Sequence, residues 1–175
     1  MISRFVEEEN PAEIRAQIKE IFFLSSRRMK VLRGVAREQV FGSWAGYYLD
    51  KIPDQTLLFK THSCGIAGYL TGCFNSAGAR PLYRDLFYYQ AFDKWYEQYP
   101  AHFHVNCHPD FRSQGIGKVL VETFVGYASQ AGAAGVHLVT GTRARNRQFY
   151  ERQKFFKQTT CRLNNTYLVL LGRVC

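Results

Sequence analysis

The stretch that most constrains this chain is HFHVNCHPDFRSQGIGKVLV, residues 102–121. Its first part alternates. Ala101, Phe103, Val105 and Cys107 fall on one face of an extended segment over residues 101–108, and His102, His104, Asn106 and His108 on the other. A Pro-Asp turn follows, then the loop Arg112-Ser113-Gln114-Gly115-Ile116-Gly117-Lys118. After it Ile116, Val119, Leu120, Thr123, Phe124 and Tyr127 recur at helical spacing, the apolar stripe of a helix that packs on a sheet. The first amides of a helix have no carbonyl four residues behind them, and the helix dipole adds positive potential there. Arg112 and Lys118 bracket these amides with two cations, and the glycines let a ligand approach the backbone closely. The loop therefore reads as a cradle for a diphosphate.

Spacing decides which cradle. A nucleotide-triphosphate loop needs glycine five residues before the Gly-Lys pair and Ser or Thr after it, where this chain has Arg112 and Val119. A dinucleotide fingerprint needs a third glycine where Leu120 stands. What fits is Arg-x-x-Gly-x-Gly, from Arg112 to Gly117, directly after a strand ending His-Pro. A second pattern, Asn146-Arg147-Gln148-Phe149-Tyr150-Glu151-Arg152-Gln153-Lys154-Phe155, follows a further strand. Together, in this order, the two resemble the signatures of the GNAT superfamily of acyl-CoA N-acyltransferases. One departure stands out: Lys154 occupies the place where glycine usually ends the second motif's helix, which costs about 1 kcal/mol if that residue is left-handed.

The resemblance implies an α/β fold built on a mixed, mostly antiparallel central sheet of about six to seven strands flanked by helices, with a V-shaped splay at the central strand. It implies one N-acetyltransferase domain over residues 1–175, with acetyl-CoA as acyl donor and direct transfer to a primary amine in a ternary complex. The diphosphate falls to the loop of Arg112 and Ser113 and to the amides of Gln114, Gly115, Ile116, Gly117 and Lys118. The pantetheine arm falls to the backbone of Val105, Asn106 and Cys107, with Asn146 as a further contact. Tyr150 holds the position of the acid that protonates the leaving thiolate. The polar face of the central strand offers His102 and His104 as bases for the incoming ammonium, since either titrates near neutrality.

Those histidines also raise a metal reading, with His108 or Cys107 nearby, but Cys107 falls on the opposite face and no spaced carboxylate completes a set, so no metal is expected. A net charge of +9 over 175 residues favours an anionic ligand without choosing among nucleic acid, a membrane surface and a polyphosphate. Two other functions compete with catalysis: an acyl-CoA-binding regulatory module of the same fold, and a basic nucleic-acid-binding domain, which the charge alone supports. The amine acceptor is not named by the sequence. The odd count of five cysteines, with no CxxC pair and no leader-like start, predicts a reduced, cytoplasmic protein. No apolar run approaches the roughly 20 residues that span a bilayer, so no membrane partner is expected.

Along the rest of the chain the pattern predicts a strand over residues 3–8 and a helix capped by Asn10 and opened by Pro11, with Ile14, Ile18, Ile21 and Phe22 on one face. Arg27, Arg28, Lys30 and Arg33 then form a basic connection, read as a solvated face. A second helix spans residues 36–48, with Phe41, Trp44, Ala45 and Tyr48 as its stripe. Strands follow over residues 56–62 and 65–73, joined by a Ser63-Cys64-Gly65 turn. The aromatic segment 75–100 is partly helical, and its rings serve packing or wall an acceptor pocket. Residues 135–141 form a strand parallel to 101–108. A helix over 146–153 and a hairpin of residues 156–163 and 167–171 about Asn164-Asn165 close the chain. That hairpin offers a sheet edge to a homodimer.

Overall fold

The computed structural model describes residues 1–25, 31–61 and 65–175. Arg27, Arg28 and Lys30 of the expected basic connection, and His62, Ser63 and Cys64 at the expected strand end and turn, lie outside the described residues. Seven strands form one sheet: β1 (Ile2–Arg4), β2 (Leu57–Lys60), β3 (Ile66–Cys73), β4 (Ala101–Cys107), β5 (Gly135–Gly141), β6 (Lys157–Leu163) and β7 (Thr166–Val174), in the hydrogen-bonded order β1-β2-β3-β4-β5-β7-β6. The β1–β2, β2–β3, β5–β7 and β6–β7 pairs are antiparallel and β4–β5 is parallel, as the sequence predicts. The chain packs as two units, residues 1–72 with 104–124 and residues 73–103 with 125–175.

In the first unit α1 (Pro11–Leu24) starts where the sequence places it. The Glu13 amide donates to Asn10 Oδ1 over 3.3 Å and Pro11 takes the first helical position, where a missing N–H costs nothing. Its inner face carries Ile14, Ile18, Ile21 and Phe22 into a core shared with Phe41, Ala45, Leu58 and Tyr69. The first strand is shorter than expected. The Arg4 amide donates to Glu7 Oε2 at 2.9 Å, closing a 3-10 turn over Phe5–Glu7 that buries Phe5. A local side-chain acceptor here outcompetes the ladder.

The second helix is longer than expected and is interrupted. It runs as α2 (Gly34–Phe41), a π-helical turn (Gly42–Gly46) and α3 (Tyr47–Lys51). Ser43 Oγ donates to the Gln39 carbonyl four residues back, a competing bond that loosens the regular ladder. The stripe of Phe41, Ala45 and Tyr48 is buried as read, and Trp44 is half-buried beside it.

The second unit holds the aromatic segment: α4 (Arg80–Asp85), a 3-10 turn (Gln90–Trp95), and a core of Tyr88, Tyr89, Phe92, Tyr96 and Tyr99. These rings are packing, and the hydroxyls of Tyr89 and Tyr96 are satisfied from within. Tyr89 donates to the Ser76 carbonyl at 2.9 Å and Tyr96 to the Tyr89 carbonyl at 2.7 Å. The β4–β5 pairing joins Ala101 to Val136 and His102 to His137. The closing hairpin turns on Asn164, whose φ of 53° suits a two-residue loop. Phe156 is left outside β6, and β7 extends to Val174.

Helix α5 (Ile116–Gln130) buries Ile116, Leu120, Val121, Phe124, Val125 and Ala128. Val119 and Tyr127, assigned to the stripe from spacing, are exposed instead. The i, i+4, i+5, i+8 set wins over the i, i+3 set, because a broad apolar face is compatible with more than one rotation. Among the described residues no helix is long and apolar enough to cross a membrane.

His137 is fully enclosed in the second unit. Its ring stacks on Tyr96 at 4.9 Å and lies 5.6 Å from His102, and its Nδ1 donates to the Tyr99 carbonyl at 2.7 Å. Burial lowers its pKa to about 4, against the opposing pull of the Tyr99 and Ala101 carbonyls. The unfolded chain takes a proton near pH 6.5 and the folded chain does not until about pH 4, so this group's contribution is intact above pH 6.5 and is lost as pH falls between the two. The loss approaches about 3 kcal/mol at the acid end. Urea midpoints measured from pH 7 to pH 4.5 are expected to fall more steeply for the wild type than for His137→Gln. Parallel curves would refute this origin.

Candidate functional site

The loop belongs to the first unit and is seated from below. Strand β4 ends at Cys107, the His108 amide donates to the Ala67 carbonyl at 2.8 Å, and a 3-10 turn (Pro109–Phe111) redirects the chain. His108 caps that turn, its Nδ1 accepting from the Asp110 amide at 3.3 Å, and Gln114 Nε2 ties the far side back to the Asp110 carbonyl at 3.3 Å. Ser113 (φ 62°) and Gly115 (φ 82°) are both left-handed, an alternation that turns successive amides toward one side. Nothing lies within 4 Å of where a Cβ on Gly115 would point. The Val119 amide makes the first helical bond, to the Gly115 carbonyl at 3.1 Å, so the amides of Ile116, Gly117 and Lys118 have no acceptor in the α-helical pattern. Ser113, Gln114, Gly115 and Lys118 are exposed. This arrangement fits a diphosphate group.

Two side chains behave differently from what the motif alone suggests. Arg112 does not reach across the loop: its Nη2 donates to the Ser25 carbonyl at the C-terminus of α1, over 3.2 Å. The guanidinium thus anchors the loop to that helix end while keeping its charge beside the cradle. Cys107 turns its sulfur beneath the helix start, where it accepts from the Gly117 amide. Burial pushes the thiol up, only partly offset by Arg112 and the Gly117 N–H, so it stays protonated at neutral pH.

Along β4 in this unit, His104 packs against Trp44 (5.2 Å) and Tyr48 (5.7 Å), and Asn106 Nδ2 donates to the Tyr69 hydroxyl at 3.0 Å. Val105, Asn106 and Cys107 are each half-buried. Sequence reasoning missed Tyr69, whose phenol burial raises well above its ordinary value. Every residue of β3 is buried, so its pattern gave no face to read. It also missed that the π-helical turn sets Trp44 against His104, a contact between distant segments that no local spacing records.

The remaining candidates lie in the second unit. His102 is buried, with Nδ1 2.7 Å from Ser76 Oγ and its ring 5.5 Å from Tyr89. Ser76 gives its one proton to the Pro100 carbonyl at 2.6 Å, so the His102 Nδ1 is the donor in that pair. Asn146 precedes α6 (Arg147–Glu151) without capping it, and its Oδ1 accepts from Thr140 Oγ1 at 3.2 Å. Tyr150 is buried among Phe103, Phe149 and Phe155, with ring centroids 5.0–6.2 Å apart.

The helix ends in a Schellman turn: the Phe155 amide donates to the Tyr150 carbonyl at 3.2 Å and the Lys154 amide to the Glu151 carbonyl at 3.0 Å. Lys154 is the left-handed residue, at φ 67°, and so carries the cost of about 1 kcal/mol that the sequence predicts for a non-glycine there. Among the described residues, no three His, Cys, Asp or Glu side chains group as a metal site.

Comparisons with known proteins bear on this arrangement. Residues 85–156, which include both motifs, match the family model of the acetyltransferase (GNAT) domain. A search of curated proteins found no match. Among solved structures, SsHAT superposes with a TM-score of 0.76 at 17% identity, over 99% of this chain and 97% of that one. An aminoglycoside 6'-N-acetyltransferase complexed with coenzyme A gives 0.68 at 12% identity, over 99% and 96%. The ribosomal-protein-S18-alanine N-acetyltransferase of Escherichia coli gives 0.58 at 14%, over 99% and 92%. At these identities the likeness is one of fold.

The first unit's loop depends on a close approach at Gly68. A Cβ there would lie 3.1 Å from the Asn106 carbonyl oxygen, 3.1 Å from Ile116 Cγ2 and 3.2 Å from Cys107 Sγ. Gly68→Ala is expected to destabilise by about 1–3 kcal/mol, read as a lowered denaturant midpoint. An unchanged midpoint would mean that β4 yields freely at this point.

Proposed function

We propose that this chain is an N-acetyltransferase of the GNAT superfamily, a reading supported by the domain match over residues 85–156. It moves the acetyl group of acetyl-CoA to a primary amine, of a small molecule or a protein, by direct transfer in a ternary complex. The observation that carries this reading is the left-handed pair Ser113 and Gly115 opening α5 in an exposed loop, with Arg112 and Lys118 at its flanks. It is supported by neighbours of the same fold that are N-acetyltransferases, one of them in complex with coenzyme A.

In this mechanism the loop from Gln114 to Lys118 holds the diphosphate through the amides of Gln114, Gly115, Ile116 and Lys118, while the Gly117 amide stays on the Cys107 sulfur and Arg112 and Ser113 fix the loop's shape. The backbone of Val105, Asn106 and Cys107 aligns the pantetheine arm, Asn146 adds a further contact, and an amide at Asn106 or Cys107 polarises the thioester carbonyl. Since the Cys107 thiol is protonated, it does not compete with the amine for the acetyl group.

An alkylammonium has a pKa near 10 and must lose a proton before its nitrogen attacks. Of the two histidines proposed as base, His104 is the better supported: it is half-buried and shares a unit with the loop, whereas His102 is enclosed with Ser76. As the C–N bond forms and the C–S bond breaks, Tyr150 gives its phenolic proton to the departing thiolate. Among the described residues Cys107, Cys161 and Cys175 form no disulfide, which fits the reducing cytoplasm proposed as its location.

Calorimetric titration of acetyl-CoA is expected to give micromolar binding to the wild type and none to a folded Gly117→Glu, which puts bulk and negative charge into the cradle. Undetectable binding to the wild type would sink the enzyme reading. Tyr150→Phe is expected to retain acetyl-CoA binding while kcat falls by about 100-fold. Unchanged turnover would remove Tyr150 as the acid and favour a different proton donor.

A further inference from the structure

The second unit carries a groove of about 420 Å³ that the proposed reaction does not use. It is lined by Lys154, Lys157 and Arg173 together with Tyr99, Phe156 and Val174, and no acidic side chain lines it among the described residues. Its volume lies within the range of about 300–1,000 Å³ typical of binding sites. The cations are set in different ways. Arg173 is anchored, its Nη1 donating to the Gln153 carbonyl at 3.1 Å and its guanidinium 5.9 Å from the Phe155 ring. Lys157 rests its ammonium 4.2 Å over the Trp95 ring. Lys154 is held by the backbone itself, because it is the left-handed residue of the Schellman turn.

The third of these is the informative one. Glycine would make the same two turn bonds with less strain, so the lysine carries a local cost. Strained positions that persist are candidates for function. Here the strained residue aligns a third cation with the other two on an open groove, and the rim adds two large apolar side chains, Phe156 at 70% exposure and Val174 at 65%. Three cations beside exposed apolar groups match a ligand that carries carboxylates next to an apolar side chain. A single nucleic-acid strand would match the cations and could stack a base on Phe156, but it would leave the aliphatic Val174 unpaired.

We propose that this groove docks an acidic peptide segment of a partner protein, with carboxylates on Lys154, Lys157 and Arg173 and an apolar side chain against Phe156.

The test is fluorescence anisotropy with a fluorescein-labelled Glu-Glu-Phe-Glu-Glu peptide at low salt. Lys154→Gly and Lys157→Gln are each expected to weaken binding by up to about fivefold, the scale of an exposed ion pair. Lys51→Gln, which removes the same charge elsewhere on the surface, is expected to leave binding unchanged. Affinity is expected to fall as salt rises. Lys154→Gly is also expected to raise Tm by about 2–4 °C, the signature of strain exchanged for binding. Unchanged peptide affinity in Lys154→Gly overturns the proposal, as does a lowered Tm in that variant. So does equal binding of a Gln-Gln-Phe-Gln-Gln peptide, competition by inorganic phosphate at the peptide's own concentration, or tighter binding of an oligouridine probe.

Discussion

The loop geometry of the first unit depends on how closely β3 approaches the end of β4. At Gly68 the main chain of Asn106, the sulfur of Cys107 and the methyl of Ile116 all converge within about 3 Å of a missing side chain. Close packing of this kind transmits small displacements instead of absorbing them. It fixes where β4 stops, and therefore where the chain must turn and where α5 must begin. Ile116, the first residue of α5, is buried while the four residues before it are exposed. The cradle is the exposed side of a joint whose inner side has no slack.

Arg112 adds a second constraint from outside. A cation at a helix C-terminus interacts favourably with that end of the dipole. By donating to the Ser25 carbonyl, Arg112 ties the C-terminal end of α1 to the loop with one side chain. The same charge contributes to the positive potential beside the loop's amides. A residue that a motif marks as a ligand for phosphate is here at least as much a strut.

The second unit solves a different problem, that of a core rich in tyrosine and histidine. Burying such groups is costly unless each polar atom finds a partner. The Tyr89 and Tyr96 hydroxyls, Ser76, His102 and His137 settle this through backbone carbonyls and one another, at 2.6–2.9 Å. The cost is sensitivity to acid, since an imidazole held neutral by burial opposes the fold once the unfolded chain can be protonated. The motif helix stands on this unit, and Tyr150 is packed on three sides by phenylalanine rings, which hold its phenol in one place.

Much of this was legible in the chain. The alternation of 101–108, the Arg-x-x-Gly-x-Gly loop, the Asn10-Pro11 helix start and the Asn164-Asn165 hairpin are local signals, written in residues a few positions apart, and each appears where it was read. So does the left-handed Lys154. What failed or was missed involved choices among partners that are distant in sequence. The rotation of α5 that exposes Val119 and Tyr127, the π-helical turn that lays Trp44 on His104, the Tyr69 hydroxyl beneath Asn106 and the strut from Arg112 to Ser25 belong to this group, whereas the 3-10 turn at Phe5 is a local choice made by the Arg4 amide on Glu7. The sequence by itself determined the order of the main strands and helices and the place of the loop, because backbone preference and periodicity are properties of short segments. Only the tertiary structure decided which side of each element faces inward and which side chains support the site, because burial is set by what the rest of the chain brings alongside.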